Sequence, residues 1–326
     1  MKQLNKLTLI CVQPSIAYYA WQVEIMLTNF KELSIHNEFN IHCLFAYNKT
    51  EVDWESKVNN IKLVENKFDG VAKFFYYEDT RQYPISYVSS IRPNLLKQHY
   101  KANPHLSSES QFYHDCDIIF SKFPDFLHNL SENDNNWYIS DTISYIGHNY
   151  IIEKGEDVLD LMCSIVGIDK ELVRQNQDNS GGCHYVMKGV DYEFFDKMEK
   201  DCEKMFKDVT SLNNEKKAID STHHELQIWC SDMWCILWGA WIRGFKTNII
   251  SEMDFSWATD SIEKFNDKYI FHNAGVTNEL RESIFYKAEY INKYPFDIDI
   301  DKYDNTKASY KYATLINSLS NTTCLK

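Results

Sequence analysis

Apolar residues along the chain alternate between short unbroken runs and longer stretches in which they recur every three or four positions. Residues 7–12 form the first run and read as a buried strand, ended by Gln13-Pro14-Ser15. Over 21–33 the apolar positions Trp21, Ile25, Met26, Phe30 and Leu33 follow helical spacing. A second strand is expected over 39–46, a helix over 52–64 and a third strand over 71–77. Strand–helix alternation of this kind predicts an α/β fold with a mostly parallel central sheet and helices on both faces.

The pattern continues with a helix over 92–100, for which Ser89 or Ser90 is available as N-cap. A strand over 111–119 carries an acidic pair. After a polar turn at 131–136 come a strand (137–140), helices (156–165 and 170–176) and a strand over 183–187 that follows Gly181-Gly182. The segment 192–209 reads as a charged amphipathic helix. The segment 224–242 reads as the most apolar helix, with Trp229, Trp234, Trp238 and Trp241. Late strands are expected at 248–250 and 269–271. The Tyr- and Asp-rich C-terminal stretch shows no clear period. No Gly/Ser- or Pro-rich linker divides the chain, so residues 1–295 are expected to form one domain and 296–326 an extension packed on it.

Composition narrows the function classes. The chain has 326 residues, of which 44% are hydrophobic and 15% aromatic, enough to bury a sizeable core. With 10 Gly and 6 Pro it is neither collagen-like nor low-complexity. A formal net charge of −13 repels phosphate backbones, so nucleic acid is not the expected partner. A divalent cation would reverse the sign locally and let an acidic protein bind a diphosphate. The 9 cysteines are odd in number and irregularly spaced, which fits buried thiols in a reducing compartment better than a disulfide framework. No apolar stretch approaches the ~18 residues a membrane-spanning helix needs. The expected location is the cytoplasm of a bacterium or of a phage- or virus-infected cell.

The chemistry centres on His114-Asp115-Cys116-Asp117, which places two carboxylates two residues apart where a buried strand ends. In an extended segment both would share a face, and a local turn would aim them at one metal or at a metal and a ribose. Oxygen ligands suit Mg²⁺ or Mn²⁺, and such an ion keeps positions open for phosphate oxygens. Asp-x-Asp also occurs as a plain solvated strand end.

With this motif and the later Phe271-His272-Asn273-Ala274-Gly275, the sequence resembles the GT-A glycosyltransferases. The resemblance implies that Asp115, Asp117 and His272 hold Mn²⁺ or Mg²⁺. A nucleoside diphosphate sugar, UDP-sugar favoured, would be the donor, and a glycan or other hydroxyl compound the acceptor. The fuller His-x-x-Gly-x-x-Lys-Pro-Trp form is not met: position 278 is Asn278, and the nearest cations downstream are Arg281 and Lys287. Lys287 is therefore carried as a donor contact. The strand after Asn179-Ser180 is similar to one that abuts the donor sugar, which implies roles for Gly181 and Gly182, where glycine permits close approach of a ligand. An ordinary loop-to-strand turn is the alternative there. The acidic, aromatic segment 227–234 is similar to a helix bordering the acceptor, with Asp232 first and Glu225 second as the carboxylate that serves the acceptor hydroxyl. Its tryptophans would stack on sugar rings or pack in the core.

A weaker resemblance, spanning 7–295, is to plant-type and viral arabinosyl- or galactosyltransferase-like sequences. It rests on Tyr19-Ala20-Trp21-Gln22, Ser89-Ser90-Ile91-Arg92-Pro93 and Phe255-Ser256-Trp257-Ala258, and implies nucleotide contacts at Gln13 and Arg92. His223-His224-Glu225 is not a zinc-protease signature, and Cys230 and Cys235 are misplaced for a zinc site. The reading is a metal-dependent hexosyl- or pentosyltransferase. The alternative is a non-catalytic carbohydrate- or protein-binding module on such a scaffold.

Overall fold

The computed structural model describes residues 7–82, 84–130 and 135–325. Most of the turn expected at 131–136 lies outside the described residues, as do residues 1–6. Two compact units are formed: Met1–Glu78, Phe112–Asn129 and Glu252–Lys326 make the first, Asp79–Gln111 and Leu130–Ser251 the second. In chain order the strands are β1 (Thr8–Pro14), β2 (Asn40–Tyr47), β3 (Lys73–Glu78), β4 (Gln111–Tyr113), β5 (Ile118–Phe120), β6 (Asn136–Asp141), β7 (Gly181–Met187), β8 (Lys246–Ile249), β9 (Phe255–Trp257) and β10 (Ile270–His272).

In the first unit the strand order is β3-β2-β1-β4. β1 is buried along almost its whole length, as its unbroken apolar run requires of a strand covered on both faces. It pairs parallel with β2 from Thr8↔Asn40 to Pro14↔Ala46, and β2 pairs parallel with β3. A small second sheet has the order β5-β10-β9. The helix Ala17–Glu32 packs on the helix Trp54–Lys67 and on β5. From it, Asn29 grips Phe120 at both backbone polar atoms, donating from Nδ2 to the carbonyl (3.0 Å) and accepting from the amide at Oδ1 (2.8 Å). That grip fixes β5 and, through it, the end of the acidic motif.

Residues 296–326 belong to this unit. Their helix Ser309–Ser318, which shows no clear signal in the sequence, buries Ser309, Tyr312, Ala313 and Ile316. Ala308 N donates to Asp260 O (2.8 Å) and Ser309 N to Ala258 O (3.1 Å). The fully buried Glu24 carboxylate receives Lys67 Nζ (2.7 Å), Thr323 Oγ1 (2.9 Å) and Cys324 N (3.2 Å), which pins the chain end.

In the second unit the order is β7-β6-β8, with β6 parallel to β8 and antiparallel to β7. Its longest helix, Tyr192–Ile219, is capped by Asp191, whose carboxylate accepts from Phe194 N (2.8 Å). Phe194, Phe195, Met198, Cys202, Met205 and Val209 line its buried face at three- and four-residue spacing. The helix packs on Ile91–Ala102, Glu156–Val166 and Ser231–Ile242.

Several expectations need correction. The strand expected over 111–119 is two strands, β4 and β5, because His114–Asp117 turns instead of extending. Ser90 does not cap its helix: its hydroxyl donates to Tyr87 O (2.6 Å). The apolar helix begins at Ser231, preceded by a 3-10 turn at Ile228–Cys230, so Glu225 precedes it. β9 was missed because three residues carry too little periodicity. Pairing is mostly parallel, with helices packed around the strands, and the fold is the Rossmann-like α/β class expected of the GT-A type. Among the described residues no helix is long and apolar enough to cross a membrane.

Candidate functional site

The acidic motif is set by three backbone contacts within the first unit. His114 N donates to Ile10 O (3.0 Å), which ties the turn to the end of β1. β10 runs antiparallel to β5 with His272 opposite Ile118, and Asn273 N donates to Asp117 O (3.0 Å). The register therefore delivers His272 to the carboxylates although it lies far along the chain. Its ring is held almost parallel to Trp257, at 14° and 6.0 Å between centroids. The turn then leaves through Gly275 at φ +80°, where a Cβ would press on the Trp257 ring at 3.3 Å.

His272 Nε2 stands 3.3 Å from Asp117 Oδ1 and 3.7 Å from Asp115 Oδ2. One ligand atom from each of the three residues lies within 4.8 Å of the others. Ligands about 2.1 Å from an ion on adjacent octahedral corners stand about 3 Å apart, so this set fits a divalent cation with little movement. Two carboxylate oxygens and one imidazole nitrogen suit Mn²⁺ or Mg²⁺ better than a thiolate-seeking metal. The carboxylates differ in access: the Asp117 side chain is 6% exposed and that of Asp115 24%. Asp115 is thus the more open of the pair.

Lys287 Nζ meets Asp117 Oδ2. Burial alone would raise the Asp117 carboxyl, but Lys287 and His272 outweigh it and hold it well below the ordinary carboxylate range. Burial likewise opposes the charge on Lys287, and Asp117 more than restores it, raising the ammonium above its usual value. Arg281, the other candidate cation, turns to Asn278 Oδ1 (3.0 Å) and Glu282 Oε1 (3.2 Å). His114 is a packed residue, as expected: its ring stacks on Phe112 at 5.1 Å, and burial lowers it to about 4. The Asn273 side chain is buried with neither amide atom hydrogen-bonded, an unpaired polar group beside His272 that sequence reasoning passed over. Gln13 lies inside the sheet, its Nε2 donating to Leu44 O (3.1 Å) and its Oε1 buried without a hydrogen bond.

The second unit gathers two of the remaining residues. Arg92 Nη1 lies 2.9 Å from Asp232 Oδ2, and the Tyr87 hydroxyl lies 2.6 Å from Asp232 Oδ1 and from Trp229 O. Burial and the neighbouring Asp232 raise the Tyr87 phenol well above its ordinary value, so it remains a donor. Tyr87 carried no signal in the sequence, since a lone tyrosine in a polar loop has no periodicity to mark it. Glu225 stands apart, paired with Lys217 at 2.8 Å and 47% exposed. Gly181 and Gly182 begin β7 itself. A Cβ on Gly181 would stand 2.3 Å from Ser140 O, and one on Gly182 2.3 Å from the Tyr185 hydroxyl, so packing within this unit already demands both glycines. Of the four tryptophans, Trp234, Trp238 and Trp241 are core residues. Trp229 is 57% exposed and lies nearly parallel to Tyr145 at 6.2 Å.

No protein-family model and no curated protein matches the chain. Solved structures to which it is similar include the apo form of WbbM, a bifunctional glycosyltransferase, at 8% identity and a TM-score of 0.49 over 97% of this chain and 52% of that one. Another is the galactosyltransferase LgtC in complex with donor and acceptor sugar analogues, at 12% identity and a TM-score of 0.45 over 97% and 98%. A third is a glycosyltransferase involved in glycosylation of the major capsid of PBCV-1, at 10% identity and a TM-score of 0.37 over 84% and 96%. The chain thus spans about half the length of WbbM and nearly all of LgtC.

Proposed function

We propose that the chain is a metal-dependent glycosyltransferase that moves a sugar from a nucleoside diphosphate sugar, with UDP-sugar favoured, to a hydroxyl acceptor. The observation that carries this reading is the meeting of Asp115, Asp117 and His272 around one ion-sized space. In it, Asp115, Asp117 and His272 hold Mn²⁺ or Mg²⁺. The bound ion would neutralise the diphosphate as it departs from the anomeric carbon. Lys287 brings a further positive charge to the same carboxylates, suited to the donor's phosphates. His272 keeps its angle through the ring of Trp257.

In the second unit, Asp232 is held by Tyr87 and Arg92 at both carboxylate oxygens. It serves as a fixed acceptor for a sugar hydroxyl, positioned by those two partners. Taking a proton would require it to loosen one of them. Arg92 contributes positive charge for the donor, and Gly181 and Gly182 keep the start of β7 open to close approach. Glu225 is the second carboxylate for the acceptor and Gln13 a nucleotide contact through its unpaired Oε1. The exposed Trp229 presents a flat apolar face against which an acceptor ring stacks.

The test is incubation of purified protein with a panel of UDP- and GDP-sugars and Mn²⁺, with and without EDTA. Sugar-nucleotide hydrolysis or transfer that stops with EDTA and returns with Mn²⁺ is expected. Absence of turnover with every donor, before and after chelation, removes the enzymatic reading.

A further inference from the structure

Asp117 is enclosed, and a carboxylate in such a place is strongly disfavoured unless a cation accompanies it. Lys287 supplies that cation. Its ammonium rests on Asp117 Oδ2 while its side chain stays 27% exposed, so a route to solvent is open. The backbone beneath it is firm: Lys287 opens the turn Lys287–Tyr290, Trp21 Nε1 donates to Tyr290 O (3.2 Å), and Phe285 stacks on Tyr290 at 5.4 Å. Rotation of a long flexible side chain, with no loop movement, is enough to take the ammonium off Asp117. A divalent ion seated on Asp117 Oδ1, Asp115 and His272 would share the same carboxylate with this ammonium. Two positive charges that close repel, and an enclosed site screens them less than water does.

We propose that Lys287 is a resident cation. It neutralises Asp117 in the metal-free protein and leaves Asp117 when a divalent ion enters, so metal binding and the freeing of its ammonium are one exchange. The proposal rests on the metal centre put forward above. It explains how two neighbouring carboxylates persist in a buried turn before metal arrives, and it makes Lys287 a competitor for the ion that Asp117 would hold.

Two measurements on the intact chain test it. Mn²⁺ binding, followed by electron paramagnetic resonance of the free ion, is compared between wild type and Lys287→Met. The variant is expected to bind at least about tenfold more tightly at the same site. In the wild type, acylation of Lys287 by an amine reagent, read by peptide mass spectrometry, is expected to speed up several-fold when Mn²⁺ saturates the site, while acylation of Lys170 stays constant. The second readout decides the matter if Lys287→Met does not fold. Mn²⁺ binding with unchanged Lys287 acylation, or binding to Lys287→Met that is equal or weaker, overturns the exchange and leaves the metal centre standing. No Mn²⁺ binding by the wild type removes both.

Discussion

Asp117 and Asp232 are almost equally enclosed, with 6% and 7% of their side chains exposed, yet their surroundings pose different chemical problems. Asp117 shares its turn with Asp115, and one ammonium answers two carboxylates. Asp232 stands alone between the Arg92 guanidinium and the Tyr87 phenol, and its charge is matched where it sits. The first arrangement has unused negative charge and a donor set at ion-binding distances. The second is a closed network that fixes one carboxylate in place. An acidic residue in a fold marks a cation site when its charge exceeds what its neighbours supply, and a scaffold when it does not.

Substitutions that change one side of this contrast and spare the other sharpen it. The largest effect is expected from Asp117→Ala: turnover falls by about 10³-fold and Mn²⁺ binding is lost, because a charge that stabilises the departing group loses its seat. Steady-state kinetics with Mn²⁺ titration check this, with circular dichroism to confirm folding. Turnover within a few-fold of wild type would take Asp117 out of the site.

Next comes Asp232→Ala, which strands Arg92 and Tyr87. Removing one partner of an enclosed pair is expected to cost about 1–3 kcal/mol, toward the lower part of the range for buried pairs because Arg92 is 29% exposed. Urea unfolding measures it, and Mn²⁺ affinity should not move. A large loss of metal binding would show that the two clusters are not independent. Tyr87→Phe removes a single hydroxyl from the same network and is expected to cost about 1 kcal/mol by the same measurement. The smallest change in stability is expected from Trp229→Ala, within about 0.5 kcal/mol, since the ring is largely exposed. Its signature lies in the acceptor KM, raised several-fold with kcat little changed. An unaltered KM removes Trp229 from the acceptor site.

Legibility of the fold followed burial. β1 and β2 are unbroken apolar runs buried on both faces, and the pattern located them to within two residues. The Ser309–Ser318 helix eluded the pattern because its inward residues include Ser309 and Tyr312, which do not read as core. Over 224–242 an almost continuous apolar composition concealed the boundary at Ser231 and the outward turn of Trp229. Composition records how apolar a segment is, not where the chain bends.

In the site, Asp115, Asp117 and His272 were legible because paired carboxylates at a strand end and a late histidine before glycine each have a local chemical signature. Lys287 was legible only as one of two nearby cations. Its choice over Arg281 came from the pairings each side chain found in the folded loop. The network of Tyr87, Arg92 and Asp232 left no trace in the linear order, since its members lie up to 145 positions apart.

By itself, then, the amino-acid order determined which segments must be buried, the parallel α/β class and the chemical kinds of group available to bind an ion. Tertiary structure decided which of those groups meet. The register of β10 on β5 brings His272 to the turn, and enclosure of Asp117 calls in Lys287. Hydrophobic burial is written in local composition, whereas the pairing of charges depends on distances of a few ångströms that exist only once the strands have aligned.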